Sequence, residues 1–127
     1  MGEGTAAEKT ILVVENDEIT REGVGMVLRR EGYTPVIVGS GEEALSSLRR
    51  GLNPCLILLD MMMPDMDGWQ FMEAKMRDAA LAGIPVVVTT ALGVSSPAWA
   101  ASLGAVGLLR KPLGAGLLAQ EVKRCCG

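Results

Sequence analysis

Histidine is absent from the 127 residues, and aromatic side chains number only four: Trp69, Trp99, Tyr33 and Phe71. Without histidine there is no Ser-His-Asp triad, no histidine general base and no histidine-containing zinc site. A phosphohistidine carrier is excluded as well. So few rings argue against a base-stacking platform for nucleic acid. Positive charge is also short, with twelve Lys and Arg against fifteen Asp and Glu and a net charge of −3. Neither nucleic acid nor an anionic membrane is therefore expected as a direct partner. No apolar run approaches the ~18 residues that span a bilayer. The opening MGEGTAAEKT is polar and has no signal-peptide core. The three cysteines lie at Cys55, in an apolar stretch, and at the adjacent Cys125 and Cys126. That odd count and spacing make no disulfide framework, so a reduced, cytoplasmic protein with an incidental terminal pair is expected.

What remains is a chain of one-domain length with an apolar fraction of 49%. Residues 1–9 read as a disordered tail and residues 10–125 as the domain. Ile11–Val14, Cys55–Leu59 and Pro85–Val88 are short and apolar throughout, as suits central parallel strands covered on both faces. Pro35–Val38 is a weaker strand whose proline favours an edge, and Gly107–Arg110 is a fifth. Helices are expected between them. The first runs over Glu18–Glu31, with Ile19, Val24, Val27 and Leu28 on its inner face. The second follows a capping box at Ser40 and Glu43. The third covers Trp69–Asp78. The fourth is short, with Ser96 as cap and Pro97 at its first position. The last runs over Leu113–Arg124. Strand then helix, five times over, predicts a doubly wound α/β domain with right-handed crossovers.

In such sheets ligands sit beyond the carboxyl ends of the strands. There the sequence puts Glu15, Asn16 and Asp17 after the first strand, Asp60 after the third, Thr89 and Thr90 after the fourth, and Lys111-Pro112 after the fifth. Carboxylates joined by an amide carbonyl make a hard oxygen site suited to Mg²⁺. A lysine and a threonine hydroxyl opposite can hold phosphoryl oxygens, and a carboxylate among them can attack phosphorus.

ILVVEND, LILLDMMMPDMDG, VVVTTA and LLRKP, in that order, resemble the receiver domain of two-component response regulators from about Thr10 to the last helix. The resemblance implies a flavodoxin-like five-stranded sheet of order 2-1-3-4-5. It makes Asp60 the phosphoacceptor, fed by a histidine kinase or phosphotransfer protein. It assigns Mg²⁺ to Asp60, the Asn16 side chain and the backbone carbonyl of Met62, with Glu15 acting through a metal-bound water. Thr90 would bind a phosphoryl oxygen and swing inward, Lys111 would pair with the phosphate, and the Lys111–Pro112 bond would be cis. Pro64 and Gly68 would shape the loop that aims Asp60. The surface of the fourth helix, fifth strand and fifth helix is the family's usual face for a homodimer, partner or output domain. Ala98, Ala100, Ala101, Leu103, Leu113, Leu117 and Leu118 make it apolar here. No DNA-binding, cyclase or kinase segment follows the last helix, so a stand-alone or excised receiver is expected.

Three positions depart from the family pattern. Asn16 stands where a second acid is usual, which removes one negative charge from the metal site. Leu108 stands where a switching aromatic ring is usual, so a ring-flip readout is unavailable. Met62 and Leu92, two residues after Asp60 and Thr90, are apolar and unable to orient an attacking water, so slow loss of the phosphoryl group is expected.

Blander readings exist for each residue. Glu15, Asn16 and Asp17 suit a helix start. Thr90 suits a backbone hydrogen bond, and Lys111 a solvated surface. Asp60 alone after an apolar strand is costly without a role. The Arg29-Arg30 and Arg49-Arg50 pairs, Glu43 and Glu73 read as solvated helix faces. Met63 with Met72 or Met76 is expected in the core, Met61 and Met62 beside the site as flanks of a docking surface, and Trp99 in core packing or at an interface. Two other functions remain open: a degenerate receiver that binds a partner without phosphorylation, suggested by Asn16 and Leu108, and a Mg²⁺-dependent phosphatase, weakened by the lack of a second acid two residues after Asp60.

Overall fold

The computed structural model describes residues 9–62, 68–91 and 96–127. Five strands, β1 (Thr10–Val14), β2 (Thr34–Val38), β3 (Leu56–Asp60), β4 (Val86–Thr90) and β5 (Gly107–Arg110), alternate with helices. These are α1 (Glu18–Arg30), α2 (Gly41–Arg49), α3 (Gly68–Arg77), α4 (Pro97–Ser102) and α5 (Ala115–Cys126). The sheet is parallel throughout, in the order β2-β1-β3-β4-β5. The proline-bearing strand lies at an edge, as its missing N–H requires.

The apolar strands feed two cores at once, because successive side chains point to opposite faces. Leu12, Val14, Ile57, Leu59, Val86 and Val88 face α2, α3 and α4. Ile11, Val13, Leu56, Leu58, Val87 and Leu109 face α1 and α5. Each fully buried aliphatic side chain contributes about 1.5–3 kcal/mol, so both faces are held without help from outside the sheet and its helices.

Helix starts follow the local signals. Ser40 Oγ accepts from the Glu43 amide at 3.2 Å, and Glu43 reaches back to the Gly39 amide at 3.3 Å. Ser96 Oγ accepts from the Trp99 amide at 3.1 Å, with Pro97 opening α4. Gly32, at φ 92°, ends α1 in the left-handed region that side chains avoid.

Several expectations need correction. Ile19 is 82% exposed, because it sits about 140° around α1 from Val24. Met76 is half exposed while Met72 is buried, and the fully buried neighbour of Met72 is Lys75, whose ammonium donates to the Ala82 carbonyl at 2.9 Å. Burial holds that lysine's pKa below the usual value. Met61 adjoins Asp60 but is fully buried and presents no docking surface; of the two, only Met62 is exposed. Trp99 packs partly buried against the core and meets Trp69 edge to face at 5.9 Å. The last helix starts at Ala115, with Gly114 as its cap and Leu113 before it. Cys55 and Cys126 are joined in a disulfide, against the expectation of reduced, incidental cysteines, and Cys125 alone is free. Their approach is a tertiary one, across 71 positions of chain, that no spacing rule reveals. Of the expected tail over residues 1–9, residues 1–8 lie outside the described residues, as do Met63, Pro64, Met66 and Leu92; Lys9 is tied to the domain instead, its carbonyl accepting from the Thr34 amide at 3.0 Å.

Candidate functional site

The carboxyl ends of β1, β3, β4 and β5 meet at one edge. Asp60 is the last residue of β3, in register with Thr89, and is 4% exposed. Sequence reading placed it just after the strand because the apolar run stops at Leu59; the ladder carries on one residue further. Thr89 and Thr90 likewise close β4 and are buried. Glu15 follows β1 and is 3% exposed, with its amide bonded to the Val38 carbonyl at 3.0 Å.

Two consecutive carbonyls of β4 hold the site's backbone. The Thr89 carbonyl accepts from the Met61 amide at 3.2 Å, and the Thr90 carbonyl accepts from the Lys111 amide at 2.9 Å. Asp60 and Lys111 are thus hung from neighbouring points of one central strand. That backbone role leaves no mark in residue type, because every residue carries a carbonyl.

The side chains converge on Lys111. Its ammonium lies 2.7 Å from Glu15 Oε1 and 3.2 Å from Asp60 Oδ2. Asp60 Oδ1 accepts from the Met62 amide at 3.0 Å, so each carboxylate oxygen has its own donor. Glu15 Oε2 accepts from the Asp17 amide at 3.1 Å. Burial, partly opposed by the Lys111 hydrogen bond, leaves the Glu15 carboxyl above its usual range, and the Asp60 charge pushes the same way. Burial works against the Lys111 charge, but the hydrogen bond it donates to Glu15 and the charges of Asp60 and Glu15 outweigh it and hold the ammonium above its usual range. The Glu15–Lys111 contact, closer than the Asp60 one, is the feature that sequence reading left out. The Lys111–Pro112 bond is cis.

Asn16 and Asp17 are exposed, and they divide in role. Asp17 caps α1, accepting from the Thr20 amide at 2.9 Å and hydroxyl at 2.7 Å, which hold its carboxyl below the usual value. The helix-start reading is therefore right for Asp17. Asn16 is left at the rim beside Glu15. Among the described residues, no three His, Cys, Asp or Glu side chains gather as a metal cluster. Glu15 and Asp60 supply two carboxylates, so further ligands have to be an amide, a backbone carbonyl or water. That donor set is hard, anionic overall and open on the Asn16 side, and it fits Mg²⁺.

Gly68 opens α3 against the loop that follows Asp60. Its amide donates to the Met61 carbonyl at 3.2 Å, and a Cβ there would lie 2.6 Å from Met61 Cα. Only glycine permits that approach. Leu108 is half-buried on the α4 side of the sheet, paired with Val88 and packed against the core.

On the α4–β5–α5 surface, the apolar face is thinner than expected. Ala100 and Leu118 are core residues, Leu103 and Leu113 are half-buried, and only Ala98, Ala101 and Leu117 are exposed. Arg124, ion-paired with Glu121 at 2.6 Å and bonded to the Val106 carbonyl at 3.0 Å, adds charge to it.

Residues 11–123 match the family model described as "Response regulator receiver domain". The DNA-binding response regulator MtrA of Mycolicibacterium smegmatis is 40% identical over 81 residues, covering 64% of this chain and 34% of MtrA. The chain thus spans about a third of the length of the curated relatives it matches. The receiver domain of a signal transduction histidine kinase from Syntrophus aciditrophicus is 32% identical with a TM-score of 0.81, covering 92% of this chain and 89% of that one. The receiver domain of a sensor histidine kinase from Pseudomonas aeruginosa, solved with a magnesium ion coordinated in its active site cleft, has a TM-score of 0.84 over 94% of this chain and 98% of that one. At 24% identity that likeness speaks for the fold alone.

Proposed function

The chain belongs to the response regulator receiver domain family, and from that premise we propose that Asp60 accepts a phosphoryl group from a phosphohistidine. The observation that carries this is the Asp60 carboxylate itself: buried at a strand end, with one oxygen on the Met62 amide and the other on the Lys111 ammonium. Attack by an Asp60 oxygen on phosphorus forms the P–O bond as the P–N bond breaks, and the imidazole leaves on the donor. The donor is a histidine kinase or phosphotransfer protein; the 127 residues contain no histidine, so the phosphohistidine sits on another protein or on a domain outside them.

Lys111 offsets one of the two carboxylate charges before reaction, and its ammonium is within reach of the negative charge that gathers on the transferring phosphoryl oxygens. Glu15 holds Lys111 in position and keeps a second carboxylate in the cleft. Thr90, at the end of β4, offers its hydroxyl to a phosphoryl oxygen and is the residue whose movement would signal the change. With Leu108 in the fifth strand, that movement is read by aliphatic repacking rather than by a ring. Glu15, Asp60, the Asn16 side chain and the Met62 carbonyl are the groups that would hold Mg²⁺. When bound, the ion offsets the repulsion between the carboxylate and the incoming phosphoryl group. Gly68 and Pro112 shape the surrounding backbone.

The protein acts as a signalling module and not as a turnover enzyme. No described helix is long and apolar enough to cross a membrane, and we place the module in the cytoplasm, where its donor and target meet it. The α4–β5–α5 surface is the face it offers to a second copy, a partner or an output domain. Ala98, Ala101 and Leu117 supply the apolar contacts, while Arg124 and Glu121 fix the register.

The test is incubation with acetyl phosphate, with Mg²⁺ or with a chelator, followed by intact mass. One phosphoryl group is expected with the metal, and none with the chelator or in Asp60→Ala. Absence of an adduct under every condition would favour a degenerate receiver that binds partners without phosphorylation.

A further inference from the structure

We infer that Cys55 and Cys126 form a reversible thiol–disulfide site, exchanged by a small dithiol or a dithiol protein, that locks or frees the last turn of α5. Their Cα atoms lie 5.6 Å apart, within the span a disulfide bridges. Cys55 sits just before β3 and Cys126 closes α5, so the bond ties the helix end directly to the central strand.

Three observations separate a switch from a permanent staple. First, the chain has two continuous cores, one on each sheet face, and at this length a domain needs no covalent support. Breaking the bond therefore leaves a folded protein. Secondly, Cys55 is half-buried while Cys126 is buried, so a dithiol would approach the bond from the Cys55 side. Thirdly, the other polar ties on the last turn all lie at or near the surface. They are the Lys123–Glu31 ion pair at 3.6 Å, Arg124 on the Val106 carbonyl at 3.0 Å, the Lys9 ammonium on the Cys126 carbonyl and the Tyr33 hydroxyl on the Gly127 carbonyl at 3.4 Å. The disulfide is the one covalent attachment there, and its loss leaves that turn to these contacts and to the packing of Cys126.

Cys125 is free and half-buried beside the pair. Burial, the main cause, raises its thiol pKa, which keeps it a poor nucleophile and slows reshuffling into the neighbouring bond. The chemistry balances simply. A dithiol reductant gives two electrons and two protons, the Cys55–Cys126 bond becomes two thiols, and the reductant becomes a disulfide; the reverse needs a disulfide oxidant. In a reducing cytoplasm a disulfide of this kind is transient and redox-sensing rather than structural. That step rests on the cytoplasmic placement proposed above.

Cys55 and Asp60 stand at opposite ends of β3, roughly 17 Å apart at ~3.3 Å per residue. The redox site thus acts on α5 and leaves Asp60 chemistry alone, so phosphorylation and redox switching fail or succeed separately. The test follows native wild-type protein and Cys55→Ser through a series of dithiol–disulfide buffers. Alkylation after denaturation counts thiols, hydrogen exchange reads residues 119–127, and acetyl phosphate labelling reads Asp60. Wild type is expected to pass reversibly between one free thiol and three, with near-identical far-ultraviolet circular dichroism. Exchange over 119–127 rises at least about tenfold on reduction. Cys55→Ser shows the fast exchange under both conditions, and labelling is equal in both forms. Reduction that requires denaturant, reduction that unfolds the chain, a bond made through Cys125, or unchanged exchange would each overturn the inference. The comparison of the two wild-type redox forms decides the matter even if the variant does not fold.

Discussion

Replacing Lys111 by methionine keeps the stem and removes the charge that lies between Glu15 and Asp60. Removing one partner of a buried ion pair costs about 3–5 kcal/mol, because a charge is left unpaired. The Lys111 side chain is 20% exposed at the open edge of the sheet, so water recovers part of that cost. After that discount we expect about 2–3 kcal/mol at pH 7. Unfolding entropy of about 2.1 cal/mol/K per residue converts this to a fall in Tm of roughly 10 °C.

The pH dependence is the sharper part. The wild-type Glu15 carboxyl is already raised by burial, with Lys111 opposing the rise. Without Lys111 the opposing contributions vanish and the repulsion from Asp60 stays, so the carboxyl rises further. A folded state with a raised carboxyl binds more protons than the unfolded chain. The ionised Glu15 therefore costs stability above the ordinary carboxylate range, and the cost is relieved as pH falls through the raised value. Lys111 has the opposite sign. Its raised pKa contributes stability that is complete below the ordinary lysine value and is lost only as pH climbs through the folded value. The gap between wild type and Lys111→Met is thus level from about pH 7 to 9 and narrows towards pH 5. Thermal unfolding by circular dichroism in chelator-containing buffers measures it. A gap that stays constant or widens as pH falls from 8 to 5 would refute the reasoning.

Asn16→Asp adds a carboxylate at the exposed rim, and Mg²⁺ binding measured by calorimetry should tighten by about 2 kcal/mol, roughly thirtyfold; unchanged affinity would remove Asn16 from the ligand set. Gly68→Ala sets a methyl against Met61 Cα, so a loss of about 1–3 kcal/mol in denaturant unfolding is expected. The same variant should be phosphorylated roughly tenfold more slowly, since Met61 adjoins Asp60. Met62 is 56% exposed and apolar, so the phosphorylated wild type should decay slowly in Mg²⁺, and Met62→Asn should decay faster because its amide can orient water. Fast decay in wild type that Met62→Asn leaves unchanged would contradict this.

The sheet was legible because its central strands are apolar on both faces, a pattern that suits a covered parallel sheet when helices alternate with the strands, and because Pro35 marked the edge. The candidate site was legible in its members, since Asp60 and Thr90 close two strands of that sheet and Glu15 and Lys111 directly follow two others. It was less legible in its connections. The Lys111 ion pair with Glu15 depends on side-chain reach across β1, β3 and β5, and the β4 carbonyls that hang Met61 and Lys111 leave no mark in residue type. Ile19 misled because apolarity was read without its angle around the helix. Lys75 is the opposite case, a charged residue that carries no sign of burial in the sequence because its ammonium finds a carbonyl only inside the fold. The Cys55–Cys126 bond depends on where α5 ends relative to β3, which is a property of the packed domain.

The central claim is that one carboxylate, Asp60, takes the phosphoryl group. Borohydride reduction of the acetyl phosphate-treated protein converts an aspartyl phosphate to homoserine, which tandem mass spectrometry locates by residue. The account predicts homoserine at position 60 and at no other aspartate. Homoserine at Asp17, Asp65 or Asp67 with position 60 unmodified would contradict it.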